Sequence, residues 1–195
     1  MLDQTIELYE SFARGDLVDA SLWTAVTSSL TKALDFDETG ASVSAAFACS
    51  SPTRARTSGF WTPLRLSKLS SPIAAQLMSP QDALPTTLIT SHYHPLVAAY
   101  AQALLPHEDL LKALNTAYLM LTRSDELRTK RGALEALEVV WDALGDGMLG
   151  LVPETTPFLA ETMEEVEGGV EATTRRLVKR IEEHLGESLE DFLEN

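Results

Sequence analysis

The stretch ELRTKRGALEALEVVWDALG, residues 126–145, constrains the fold more than any other part of this sequence. Leu134, Leu137, Val140, Trp141 and Leu144 recur at the three-and-four spacing of one helical face, and Gly145 ends the run. A second run, GGVEATTRRLVKRIEEHLG, repeats the design with Val170, Leu177, Val178, Ile181 and Leu185, and stops at Gly186. The two stop signatures, ALGD and HLGE, lie about 41 residues apart. Helical pairs repeating every ~40–47 residues are the mark of HEAT and armadillo solenoids. In such an array each pair leaves an apolar face that its neighbour covers. The expected fold is therefore all-α, a HEAT-type α-α superhelix, with the last helices capping the array.

The rest of the chain reads as helices with punctuation. Leu2, Ile6, Leu8, Tyr9 and Phe12 predict a first helix, closed by Gly15. Leu22, Trp23, Val26, Leu30 and Leu34 predict a second, capped by Asp19 or Ser21. SVSAAFACSS suggests a short third helix of unclear period. Residues 50–72 are rich in Ser, Pro and Arg, which predicts an irregular connection with a helix beginning near Thr62 or Pro63. Prolines 80, 85 and 95 each limit or open a helix, with Pro95 in the first turn of HPLVAAYAQALL. PHEDLLKALNTAYLMLTR then predicts a helix through Arg123. The expected organisation is a helical pair over 1–48, an irregular connection with short helices over 49–95, and C-terminal repeats with a cap over 96–195.

LVPETTPFLAETMEEV, residues 151–166, is the awkward segment, because it carries two prolines inside a helical pattern. Either Thr156 caps a helix that begins at Pro157, or the helix begins near Leu149 and Pro157 interrupts it. Both place Phe158, Leu159 and Met163 inward and Glu154, Glu161, Glu164 and Glu165 toward solvent.

Charge and cysteine content narrow the functions. The formal net charge is −14, which repels phosphate, so nucleic-acid contact would need a local basic patch. One cysteine, Cys49, permits no internal disulfide and suits a reducing compartment. No apolar run reaches the roughly 18 residues needed to span a bilayer, so no membrane partner is expected. The N-terminus lacks the basic start and apolar stretch of a signal peptide.

Motifs for chemistry are absent or weak. His92 and His94 stand two apart, with His107 and Glu108 downstream, but no cysteine or carboxylate has a metal-site spacing. There is no G-x-S-x-G elbow and no glycine-rich phosphate loop. Adjacent carboxylates such as Glu164 and Glu165 do not face each other on a helix. No catalytic residue, cofactor or metal is expected. Two surfaces remain as candidates. Arg54, Arg56, Arg65 and Lys68, interleaved with Trp61, could touch RNA phosphates and stack a base, or pack as a connection against the chain's own acids. Glu154, Glu161, Glu164 and Glu165 lie in a span from Gly132 to Thr174 that has no basic residue. They could dock basic tails of partners or only keep the surface solvated. A second basic cluster, Arg123, Arg128, Lys130 and Arg131, straddles a helix–helix turn and reads as support for neighbouring-repeat contacts.

Three stretches carry a resemblance beyond a generic solenoid: LNTAYLMLTRSDELRTKRGALEAL, LVPETTPFLAETMEEVEGGVEA and RLVKRIEEHLGESLEDFL. Their order and spacing resemble the C-terminal domain of the U-three small nucleolar RNA-associated protein ten family. The matching elements are Leu114-Asn115, Thr122-Arg123, Pro153-Glu154-Thr155, Pro157-Phe158-Leu159 and Leu185-Gly186-Glu187. The likeness is densest over residues 110–193 and looser over 58–109; EEVEGGVE departs from the family's denser acidic turn. The resemblance implies one end of a long HEAT-repeat scaffold of the small-subunit processome. It implies a nucleolar location, partners among the UtpA subcomplex proteins, pre-ribosomal RNA in the assembled particle, and no catalysis. Two other readings use the same helices: a HEAT adaptor in another pathway such as nuclear transport, or a helical enzyme without a recognisable motif.

Overall fold

A computed structural model describes residues 62–78, 89–165 and 169–189. The expected N-terminal helical pair, the short third helix and the terminal SLEDFLEN turn beyond Leu189 lie outside them. Every regular element among the described residues is helical. The chain forms two compact units that divide between Ala103 and Leu104.

In the first unit, α1 (Pro63–Ala75) begins at the predicted position, with Thr62 at its N-cap and the proline in the first turn. Proline is suited there because its missing N–H would have no intrahelical partner anyway. After a π-helical turn, Ile89–Tyr93, α2 (His94–Leu104) starts with Pro95 in its first turn, as the sequence suggests. Leu66, Leu69 and Ile73 of α1 and Leu96, Val97 and Tyr100 of α2 are buried. The Tyr100 hydroxyl donates to the Leu66 carbonyl at 2.8 Å and lies 2.5 Å from Ser70 Oγ. Tyr93 donates to the Ile73 carbonyl at 3.1 Å. Both phenols thus satisfy their buried polar ends on the backbone of α1.

The second unit contains α3 (Glu108–Leu121), α4 (Leu127–Leu144), a 3₁₀ segment (Gly145–Leu151), α5 (Val152–Met163) and α6 (Val170–Leu185). α3 packs on α4, and α5 on α6; α4 packs along α6, and α3 touches α5. This is a stack of two helical pairs. Ion pairs fix its direction. Lys112 and Arg123 of the first pair meet Glu154 and Glu161 in the same order, so α3 and α5 run parallel. Glu138 and Asp142 of α4 meet Arg176 and Arg180 of α6, again in order. The architecture is all-α and solenoid-like.

The faces expected to be apolar form the core. Leu134, Leu137, Val140 and Trp141 of α4 are buried with Val170, Leu177, Val178 and Ile181 of α6. Leu144 and Leu185, at the helix ends, are half-buried. Gly186 closes α6 in the left-handed region, and its N–H donates to the Glu182 carbonyl at 2.8 Å. Beyond it the chain turns back. Glu182 accepts from the Leu189 backbone N–H at 2.8 Å and from the Ser188 hydroxyl at 3.2 Å, and Leu189 is buried.

The proline segment resolves in favour of the interrupted helix. α5 starts at Val152 and carries Pro157 inside it. Thr156 is therefore not a cap but the fifth residue of the helix. Pro157 points to solvent and removes one intrahelical donor. Thr155, Thr156 and Thr162 are buried and return their hydroxyls to the carbonyls of Leu151, Val152 and Phe158. Such bonding back to the preceding turn tends to bend a helix, as does an internal proline. Leu159 packs fully inward, whereas Phe158 and Met163 are only half-buried.

Candidate partner-binding surface

The four acids of the candidate face come from α5 and its C-terminal end, and three of them meet basic side chains of the preceding pair. Lys112 reaches Glu154 at 2.6 Å. Arg123 grips Glu161 through two guanidinium nitrogens, Nε at 2.7 Å and Nη2 on the second oxygen. Lys130 bonds both oxygens of Glu165 at 2.6 Å. Glu164, at the C-cap of α5, is exposed. The Arg123 guanidinium also lies over the Phe158 ring, 4.2 Å from its centroid, so it is held by both charge and the aromatic face.

The electrostatics follow from these contacts. Hydrogen bonding to Arg123 holds the Glu161 carboxyl below its usual range, and the same bond raises Arg123. Hydrogen bonding to Glu154 raises Lys112. Tyr100, in the first unit, is pushed up to about 12 by burial, against a smaller opposing effect of its Ser70 hydrogen bond. Its role is structural, since its hydroxyl is spent on Leu66 and Ser70.

The arrangement has a pattern that residue-by-residue reading of the sequence missed. On one edge the bases precede the acids: Lys112, Arg123 and Lys130 hold Glu154, Glu161 and Glu165. On the other edge the acids precede the bases: Glu138 and Asp142 hold Arg176 and Arg180. Arg123–Glu161 and Glu138–Arg176 are each 38 residues apart. A scan for opposite charges 38 residues apart would have found both. The supporting role expected for the 123–131 cluster matches this geometry, with Arg131 turned instead to Glu135 on its own helix at 3.8 Å.

The basic and aromatic candidates are placed only in part. Arg54, Arg56 and Trp61 lie outside the described residues. Arg65 and Lys68 belong to α1, where Lys68 is exposed. His94 opens α2, half-buried, with its ring 6.4 Å from that of Tyr93; His107 is the N-cap residue of α3. Among the described residues no three potential metal-ligating side chains gather, and no helix is long and apolar enough to cross a membrane.

No protein-family model matches the chain. Individual relatives do. The chain is 27% identical over 205 residues to U3 small nucleolar RNA-associated protein 10 of Neosartorya fischeri, an alignment covering 99% of this chain and 11% of that protein. It is 31% identical over 146 residues to the protein of the same name in Aspergillus oryzae, covering 69% of this chain and 8% of the other. An uncharacterised protein of Arabidopsis thaliana is 40% identical over 100 residues, which is 50% of this chain and 5% of that one. The chain thus spans about a tenth of the fungal relatives it matches. The resemblance carried by residues 110–193 is borne out and extends to nearly the whole chain: by sequence it is related to the U3 small nucleolar RNA-associated protein 10 family.

Proposed function

We propose that this chain is a HEAT-type, non-enzymatic scaffold segment that acts in nucleolar pre-ribosomal RNA processing and small-subunit assembly. The observation that carries the reading is similarity to proteins named for association with U3 small nucleolar RNA over 99% of the chain. The stacked helical pairs support it, because they expose long surfaces suited to several partners at once. Its partners would be other small-subunit processome proteins of the UtpA group, with pre-ribosomal RNA in the same particle. If the chain touches RNA itself, we infer that the contact lies in the basic segment from Arg54 to Lys68. Glu164, the exposed C-cap residue of α5, forms no ion pair among the described residues and is the part of the acidic face we propose for a basic partner.

Affinity purification of the tagged native protein from cells, with RNA crosslinking and mass spectrometry, tests this. Recovery of early small-subunit assembly factors with pre-ribosomal RNA is the expected result. Recovery of transport receptors instead would favour an adaptor on the same fold. Arg54→Glu with Arg56→Glu should leave folding intact and reduce crosslinks within residues 54–68. Unchanged crosslinks would remove that segment from the RNA interface.

A further inference from the structure

One carboxylate holds the chain that follows α6. A single oxygen of Glu182, Oε1, accepts from the Leu189 backbone N–H at 2.8 Å and from the Ser188 hydroxyl at 3.2 Å. Gly186, at φ 77°, supplies the turn that brings both donors back to the helix. Leu189 is fully buried, whereas Glu187 and Ser188 are exposed. The latch is thus one apolar anchor and two bonds to the same charged acceptor. So small a unit opens by local unfolding while the rest of α6 stays folded.

Ser188 stands in the run Glu187-Ser188-Leu189-Glu190-Asp191, with an acid before it and acids at the second and third positions after it. A serine so flanked suits a protein kinase whose substrate groove is basic, by charge complementarity. In that transfer Ser188 Oγ attacks the γ-phosphorus of ATP, an O–P bond forms, the bond to the ADP oxygen breaks, and the hydroxyl proton leaves to the kinase's base. The product removes the proton that Ser188 gave to Glu182 and sets a phosphate of charge about −2 against that carboxylate. Glu187 adds a further negative charge beside it. Arg180 is already engaged by Asp142 and Glu183, which leaves Lys179, exposed and one turn before Glu182, as the nearest opposing charge on α6. We propose that Ser188 is a phosphorylation site for an acid-directed protein kinase, and that its phosphate opens the latch and frees Leu189 with the surface it covers. Like-charge repulsion at the carboxylate that holds both donors is the opening force.

The test is incubation of the full chain with casein kinase two, an acid-directed kinase, and ATP. Mass spectrometry maps the phosphate, and amide hydrogen exchange follows Leu189 and α6. The expected result is phosphate on Ser188, absent from Ser188→Ala, with Leu189 protection lowered about tenfold and the middle of α6 unchanged. No phosphate on Ser188 would overturn the proposal. So would phosphate with Leu189 protection unchanged or raised, the latter meaning that the phosphate pairs with Lys179 and tightens the latch. Glu182→Gln, which keeps an acceptor oxygen and removes the charge, provides the second arm. Phosphorylation of that variant should lower Leu189 protection much less; an equal loss would contradict repulsion by Glu182 as the opening force.

Discussion

Replacing Gly145 by alanine should destabilise the second unit for two separable reasons. The first is backbone. Gly145 ends α4 at φ 50° and ψ −121°, a region open to glycine and strained for any residue with a Cβ. The second is contact. A Cβ built on Gly145 would lie 2.9 Å from Cε1 and 3.2 Å from Nδ1 of His184. That ring lies beside Trp141, with centroids 6.3 Å apart, and its Nδ1 is 3.4 Å from Asp146. The imidazole can move aside only by giving up these contacts. Gly186 is the control, because it too has positive φ, 77°, but a Cβ there would meet nothing within 4 Å. Gly186→Ala should cost about 1 kcal/mol. Gly145→Ala should cost about 2–3 kcal/mol, the strain plus the displaced ring. Urea unfolding of both variants, and of Gly145→Ala in a His184→Ala background, separates the terms. A coupling of roughly 0.5–1 kcal/mol between Gly145 and His184 is expected. Equal costs for the two glycines, with no coupling to His184, would refute the packing described for the end of α4.

Leu177 is fully buried in α6, so Leu177→Asp should cost about 4 kcal/mol or more and lose helicity at a lower temperature in circular dichroism; a native-like melt would contradict its place in the core. Arg123 lowers the Glu161 carboxyl, so the unfolded chain binds that proton more readily than the folded one. The pair's stabilisation is therefore present above the ordinary carboxylate range and lost as pH falls through the depressed folded value. Both partners are half-exposed, so the effect should be small and should shrink with salt. Glu161→Gln should flatten this part of the acid limb of stability against pH, and identical limbs would count against the pair. Pro157→Ala restores an N–H on the exposed face of α5 and should stabilise by about 1 kcal/mol in chemical unfolding. A fall in the unfolding midpoint would mean that the interruption itself is needed for packing.

Much of the second unit was legible because its signals are strong and local. α4 and α6 announce themselves through apolar spacing and a terminal glycine, and both glycines have positive φ in the structure. The start of α5 was not legible, since a proline suits the first turn and an exposed interior position alike. Its choice depends on the preceding 3₁₀ segment, whose buried Met148 and Leu151 lead directly into the helix. The acidic quartet illustrates a different limit. Sequence alone exposes Glu154, Glu161 and Glu165 as a run without local bases, because their partners belong to the preceding helical pair. Only the stacking of α3 and α4 against α5 and α6 brings the opposite charges together. The two buried polar groups of the Asn115–Thr155 contact escaped notice for the same reason, being 40 residues apart.

If the proposed role is right, this chain supports pre-ribosomal RNA processing by holding other components through its folded helical pairs. Replacing the native protein in cells with a Leu177→Asp form and measuring precursor ribosomal RNAs tests this role. Unprocessed precursor should accumulate and small subunits be lost, with large-subunit RNA spared. Normal processing by cells whose only copy carries the unfolded second unit would contradict it.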